Sequence, residues 1–395
     1  MNANLYLALG VRPFINCCSV RAMHGGSLML PQVRKAMAAA SRYFVNLDEL
    51  MEAAGRRLAE LTGAEWGIVT CGSAAAVTLG TAACVAGNDP VKMLRLPFTD
   101  GMTNRVIIPK TQRFAYDQAV RMIGCRLVEI DTREDLEEAL SEPVAMVVLL
   151  GKQEHLGSLR LEEIASVVKP RGIPVMVDAA SEHLERPSRW LVHGADLVVY
   201  SGGKFLRGPQ TSGLLLGSKR LVQAAWVNAS PHQALGRPMK VSKEDIIGVL
   251  TAVEHWFEER NHAAERQKWY DDLAVITERI RALPGAGGEI LQPEGVDRVP
   301  RLRAFWDADY AIDGLELRQR LLDGGPRIML DHNSATKNSI AIDPFQLQPG
   351  EAAQVGEAIA RVLREARSCR PAPTPAPAAE IAGNWKLEVE FLHGS

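Results

Sequence analysis

Two hydrophobic periodicities divide the chain. Over residues 31–62 apolar positions recur at helical spacing, with Pro31 in a first turn and Leu47, Leu50, Met51, Ala54, Leu58 and Leu61 on one face. From residue 65 to about 240 the pattern changes to short apolar runs separated by helical stretches. The runs are Trp66–Thr70, Val106–Pro109, Arg126–Ile130, Ala145–Leu150, Ile173–Val177, Asp196–Tyr200 and Gly213–Gly217. Several are continuously apolar, as strands covered on both faces should be. Helical stretches such as Asp117–Ile123 and Leu161–Lys169 lie between them. This alternation predicts an α/β fold with a mostly parallel seven-stranded sheet and helices on both faces.

Ser242-Lys-Glu-Asp245 reads as a capping box that opens one long helix to about Leu283, which Pro284-Gly285 stops. Residues 286–366 then read as a smaller α+β unit. Its strands are expected near 288–291, 301–310, 327–331 and 339–343, and its helices near 314–323 and 350–366. The expected organisation is an N-terminal segment (1–45), a large domain (46–242) and a small C-terminal domain (243–368). A proline-rich linker (369–380) and a terminal segment (381–395) follow. In the last of these Trp385, Leu387, Val389 and Phe391 alternate with charged residues like a half-buried strand. That strand pairs with the body or with another chain, or it belongs to a larger C-terminal module.

Composition narrows the class. The chain has 395 residues, 47% hydrophobic and 23% charged, with 45 basic and 47 acidic side chains and a net charge of −2. That is an ordinary globular balance, and it does not advertise a polyanionic partner. The six cysteines form no CxxC pair. A zinc site or a disulfide framework is therefore not expected, and the thiols read as reduced in a cytoplasm. No His/Cys/Asp/Glu set has metal-ligand spacing. The N-terminus lacks the basic and apolar regions of a signal peptide, and no apolar run is long enough to span a bilayer, so no membrane role is expected.

Candidate chemistry sits at three predicted strand ends, where open α/β sheets bind ligands. The first strand runs into Gly72-Ser73-Ala74 and an alanine-rich helix, whose N-terminal amides can hold an anion. Taken alone, this reads first as an N-cap before a closely packed helix. The second ends in Asp178, a carboxylate that burial would make costly without a cationic or protonated partner. By itself Asp178 could instead be a cap or a structural ion pair. The third ends in Ser201-Gly-Gly-Lys204. This is not a P-loop, because the glycine spacing is wrong and no Ser or Thr follows the lysine. Alone, it could be a surface loop with a solvated lysine.

Together the three features suit pyridoxal 5′-phosphate. Gly72, Ser73, Ala74 and Ser201 would hold its phosphate. Asp178 would keep its ring nitrogen protonated. Lys204, 26 residues later (204 − 178), would form the Schiff base and afterwards move the substrate's α-proton.

These stretches resemble the selenocysteine-synthase-like group of fold-type-I pyridoxal-phosphate enzymes. The match is carried by Ile15-Asn16, Leu61-Thr-Gly-Ala-Glu65, the Ser73 helix, Val177-Asp178, the run Gly194–Gly213 and Gly236-Arg-Pro-Met-Lys240-Val. It covers about residues 8–366, and Gly194–Gly213 is its most specific part. Gly25-Gly26-Ser27 and Ser-Gly-Gly-Lys place the chain nearer the D-glucosaminate-6-phosphate ammonia-lyase branch than the bacterial L-seryl-tRNA(Sec) selenium transferases. The latter carry an additional N-terminal tRNA-binding domain, whereas here Gly10-Val-Arg-Pro-Phe-Ile-Asn comes almost at once. With the charge balance, this disfavours tRNA as substrate.

The resemblance implies a homodimer or larger homo-oligomer with active sites between subunits. It implies a lyase that deprotonates Cα of a small amino acid or amino sugar acid and eliminates a β-substituent. Selenium transfer by β-replacement, racemisation and aldol cleavage use the same residues and stay open. In this fold Gln112 or Arg113 would lie against the cofactor ring or reach substrate, and His155 would contact the cofactor or act as an acid. Arg327 would bind the substrate carboxylate, with Arg207 and Arg237 as rivals for it or for a substrate phosphate. Cys71 reads as a packing residue.

Overall fold

The computed structural model describes residues 5–295 and 298–368. The expected linker and terminal strand lie outside the described residues. Two principal cores organise the rest.

The larger core surrounds a seven-stranded sheet built from β2 (Trp66–Thr70), β3 (Arg105–Pro109), β4 (Arg126–Ile130), β5 (Met146–Leu150), β6 (Val175–Asp178), β7 (Leu197–Ser201) and β8 (Gly213–Gly217), in the order β2-β8-β7-β6-β5-β3-β4. Every predicted run is a strand of this sheet. β3 to β7 pair in parallel, and β8 runs antiparallel to both neighbours. The central strands carry Val147, Val148, Val175, Met176, Val177, Leu197, Val198 and Val199 essentially without exposure. Burial on both faces is why these runs do not alternate.

The helix Ser73–Ala86 lies on this sheet. Its small residues permit close approach: a Cβ at Gly80 would meet Met176 Sδ at 2.7 Å. The apolar stripe of helix Leu47–Thr62 buries Met51, Ala54, Leu58 and Leu61 against the same core. Asn46 caps that helix by accepting from the Asp48 and Glu49 amides.

The smaller core contains an antiparallel three-stranded sheet of β9 (Ala286–Leu291), β10 (Arg301–Trp306) and β12 (Ser339–Ile342), in the order β12-β10-β9. The helices His262–Arg281, Gly314–Asp323 and Glu351–Ser368 accompany it. The run near 327–331 does not join this sheet. It forms β11 (Ile328–Leu330), which pairs in parallel with the N-terminal β1 (Ile15–Cys17). Ile15 and Cys17 are thereby buried in the smaller core. The chain thus enters the smaller core, crosses to the larger one near Leu30 and Val33, and returns after the sheet.

Three expectations need correction. The long helix from 243 is two helices, Lys243–Glu258 and His262–Arg281. Between them the Arg260 guanidinium turns inward to the Phe205 carbonyl (2.6 Å) and Glu265 (2.7 Å), and Asn261 caps the second helix. The capping box at Ser242 is half made. The Ser242 hydroxyl accepts from the Asp245 amide, while the Asp245 carboxylate accepts from Thr211. The helix expected over 117–123 is a 3₁₀ turn, Ala115–Asp117, running into Gln118–Arg121. Asp117 is spent on Arg113 and Arg121 there.

Candidate active site

The C-terminal ends of the parallel strands open into a cavity of about 920 Å³. Its wall includes Gly72, Ser73 and Ala74 after β2, Asp178 at the end of β6, Ser201 at the end of β7 and Lys204 in the loop that follows. The three strand ends singled out in the sequence therefore converge on one space. β6 and β7 are adjacent, with Asp178 level with Val199, so the topology sets the carboxylate beside the lysine loop.

Asp178 is buried, and its Oδ1 accepts from the Ala180 amide at 2.9 Å. Burial pushes its carboxyl up, against the opposing pull of that amide and of Lys204. Lys204 is pushed the other way. Burial lowers the ammonium, Asp178 partly restores it, and nearby Lys152 lowers it further. No ion pair or hydrogen bond engages the Lys204 Nζ among the described residues. An amine whose ammonium form burial disfavours, and which no hydrogen bond engages, is suited to act as a nucleophile and a proton acceptor.

The anion cup is a strand-to-helix turn. Gly72 sits at φ 116°, ψ 160°, a conformation close to exclusive to glycine. The first i→i−4 bond of the following helix is from the Ala76 amide to the Gly72 carbonyl, so the amides of Ser73, Ala74 and Ala75 point onward without helical acceptors. A Cβ at Gly213 would come within 2.4 Å of the Gly72 carbonyl carbon, so β8 can pass behind the cup only as glycine.

The lysine loop is clamped by a segment that the sequence reading used only for its resemblance. The Ser27 amide and hydroxyl both donate to the Gly203 carbonyl, each at 3.0 Å. Gln210 donates to the Ala22 carbonyl at 2.9 Å. Gly26 has φ 71°, and a Cβ there would meet the Gly203 oxygen at 2.7 Å. The Gly25-Gly26-Ser27 motif is thus a close backbone-to-backbone contact between the N-terminal segment and the loop that carries Lys204.

His155 lies on the cavity wall in the 3₁₀ turn Gly151–Leu156, together with Lys152 and Gln153. Gln153 Oε1 is buried without a hydrogen-bond partner. Five expected contacts lie off this wall. Gln112 is fully buried and accepts from the Leu150 amide at 2.8 Å, so it fixes the end of β5. Arg113 pairs with Asp117 and Glu129. Arg207 donates to the Leu28 carbonyl at 3.0 Å, and Arg237 reaches Ser230 Oγ at 3.5 Å. Arg327 donates to the Arg12 carbonyl at 2.8 Å and stands over the Phe14 ring.

The sequence reading did not pick out Arg21, Phe114 and Tyr116, which line the cavity together with Gly26, Gln153 and Gln210. Phe114 and Tyr116 had a signal, since they follow the strand end at Pro109. Arg21 had none, because nothing local places an N-terminal arginine at the far end of the sheet.

The donor set fits pyridoxal phosphate: open amides beside Ser73 and Ser201 for a phosphate, a buried carboxylate for a ring N–H, an unengaged amine, and an orphaned Gln153 oxygen for a further donor. Comparison with known proteins agrees. The family model described as Cys/Met metabolism PLP-dependent enzyme matches residues 42–237. The chain is 32% identical to a 5′-C-glycyluridine monooxygenase-decarboxylase of a Streptomyces species over 91% of each chain. It is 29% identical to the D-glucosaminate-6-phosphate ammonia lyase of Salmonella typhimurium, covering 90% of this chain and 96% of the relative. The solved structure of a D-glucosaminate-6-phosphate ammonia-lyase superposes with a TM-score of 0.82 over 93% of this chain and all of the other, at 28% identity. An L-seryl-tRNA(Sec) selenium transferase of Mannheimia succiniciproducens is 28% identical over 50% of this chain and 47% of its own length. The chain belongs to the fold-type-I pyridoxal-phosphate-dependent enzymes, in their selenocysteine-synthase-like group.

Proposed function

We propose that the protein is a lyase that removes the α-proton of a small amino acid or amino sugar acid and expels a β-substituent. The observation that carries this reading is the convergence of Asp178 and Lys204, from adjacent strand ends, on one cavity beside the Ser73 anion cup. Its reaction class rests on the likeness to the ammonia lyase along nearly the whole of both chains.

Bound pyridoxal phosphate supplies an electron sink for a carbanion at the substrate's Cα. Gly72, Ser73, Ala74 and Ser201 would fix its phosphate by amide and hydroxyl donors. The Asp178 carboxylate would hold a proton on its ring nitrogen, where the buried charge finds its partner. Lys204 Nζ would attach the cofactor and then take the proton from Cα, which its burial-lowered ammonium favours. The His155 imidazole would give a proton to the departing β-oxygen, so that the Cα–H and Cβ–O bonds both break with protons accounted for. Met23, Phe114, Tyr116 and Leu156 add apolar surface to the cavity lining.

The reading is tested by incubating the loaded enzyme with D-glucosaminate 6-phosphate and with a panel of β-hydroxy amino acids while following ammonia release. Release that Lys204→Ala abolishes is expected. Oxygen-dependent loss of carbon dioxide from a glycyl nucleoside, without ammonia release from any β-hydroxy acid, would replace this reading with the second one that the Streptomyces relative favours.

A further inference from the structure

We infer that Arg21 binds the α-carboxylate of the substrate, a role that rests on the proposed amino-acid chemistry at Lys204. An amino acid bound through its nitrogen near Lys204 places its carboxylate one carbon away, so a cation that orients it must line the same cavity. Arg21 is the one guanidinium that lines this cavity among the described residues. The four arginines expected from the sequence are each engaged elsewhere: Arg113 by Asp117, Arg207 by Leu28, Arg237 by Ser230 and Arg327 by Arg12.

Arg21 is held in place at both ends. Its carbonyl accepts from the Gly26 amide, closing the turn that Ser27 fastens to the Gly203 carbonyl, one residue before Lys204. At its head, Nη2 meets Asp331 Oδ1 at 2.5 Å. Asp331 belongs to the smaller core, just after β11, where the same oxygen accepts from the Asn333 amide. The carboxylate is therefore fixed by its own turn and does not follow a moving arginine. A guanidinium carries five N–H donors in a planar fork, and one ion pair with Asp331 leaves donors for a second carboxylate. Its side chain is 25% exposed, within reach of a ligand that enters the cavity. Asp331 acts as the positioning residue: it aims the fork from the smaller core while the backbone turn ties it to the lysine loop.

The test uses the full chain loaded with pyridoxal phosphate, and two probes that differ by the carboxylate alone: serine, as both enantiomers, and ethanolamine. The readout is the change in the cofactor's visible absorbance during titration, which needs no turnover. Wild type should bind one serine enantiomer at least 30-fold more tightly than ethanolamine, and Arg21→Gln should abolish that preference, because its amide cannot offer the charged fork. Arg21→Lys should restore part of it, because an ammonium keeps the charge but loses the fork. Asp331→Asn should weaken serine binding less than Arg21→Gln. A normal cofactor spectrum in Arg21→Gln reports an intact site. An Arg21→Gln protein that still prefers serine, or a wild type that does not distinguish serine from ethanolamine, overturns the assignment. A wild type with no cofactor band at all refutes the chemistry proposed for Lys204 instead.

Discussion

The cavity has two walls of different origin. One is the sheet wall, formed by Gly72, Ser73, Asp178, Ser201 and Lys204 at the ends of β2, β6 and β7. The other is the wall of the N-terminal segment and smaller core, with Arg21 and Gly26 facing the cavity and Asp331 behind Arg21. Residues of the sheet wall are positioned by local sequence, because each apolar run delivers its last residue to a known edge. Residues of the second wall are positioned by contacts between segments about 180 to 310 residues apart, such as Ser27 with Gly203 and Arg21 with Asp331. Chemistry concentrates on the first wall and alignment on the second, so the two should fail in different ways.

The largest effect is expected on the sheet wall. Asp178→Asn should keep the Ala180 contact, since an amide oxygen can accept that hydrogen bond. It removes the charge proposed to hold the ring proton, so activity should fall about 10²-fold or more. Thermal stability without cofactor should not fall, because burial already penalises the charged form. A variant that loses stability and activity together would place Asp178 with the structural residues.

A break in the second wall should cost stability and alignment first. Gly26→Ala puts a methyl 2.7 Å from the Gly203 oxygen at a positive φ, which should cost about 1–3 kcal/mol. Ser27→Ala removes one hydroxyl bond and should cost about 1 kcal/mol. Both are read from thermal melts with cofactor occupancy measured alongside. Occupancy should fall further with Gly26→Ala, because the displaced carbonyl belongs to the residue before Lys204.

The smallest net effect comes from a pair of opposed pH slopes. Burial raises Glu182 to about 7, and Arg189 and Trp190 only partly compensate. Burial among Arg260, Arg298, His262 and Arg266 lowers His183 to about 3. A carboxyl raised in the fold binds more protons folded than unfolded, so its contribution is lost as pH rises from about 4.5 to about 7. A lowered histidine binds more protons unfolded, so its contribution is lost as pH falls from about 6.5 to about 3. Between about pH 4.5 and 6.5 the two slopes oppose each other, each up to about 1.4 kcal/mol per pH unit. Glu182→Gln should therefore leave a protein whose stability rises with pH across that window, and His183→Phe one whose stability falls. Parallel slopes in the two variants would contradict this.

The difference between the walls also explains how much was legible in the sequence. All seven strands of the large sheet could be read, because a doubly covered strand is a continuous apolar run whatever its neighbours are. Asp178 and Lys204 followed from strand ends. The broken helix at Arg260 could not be read, because its cause is the Phe205 carbonyl, 55 residues away. The partner of Ile328–Leu330 was hidden for the same reason, since the three-residue strand Ile15–Cys17 has no periodicity to detect. Arg327 was expected on the cavity from the habits of the fold. In this chain Arg12 and Phe14 hold it at the other end of the β1–β11 pair, and Arg21 occupies the wall.

The central claim is that Lys204 carries the cofactor. Purified protein loaded with pyridoxal phosphate should show a visible absorbance band that borohydride bleaches, and peptide mapping should then find the reduced phosphopyridoxyl group on Lys204. Lys204→Ala should show neither. Label on Lys152, which lines the same cavity, or no label anywhere, would contradict the account.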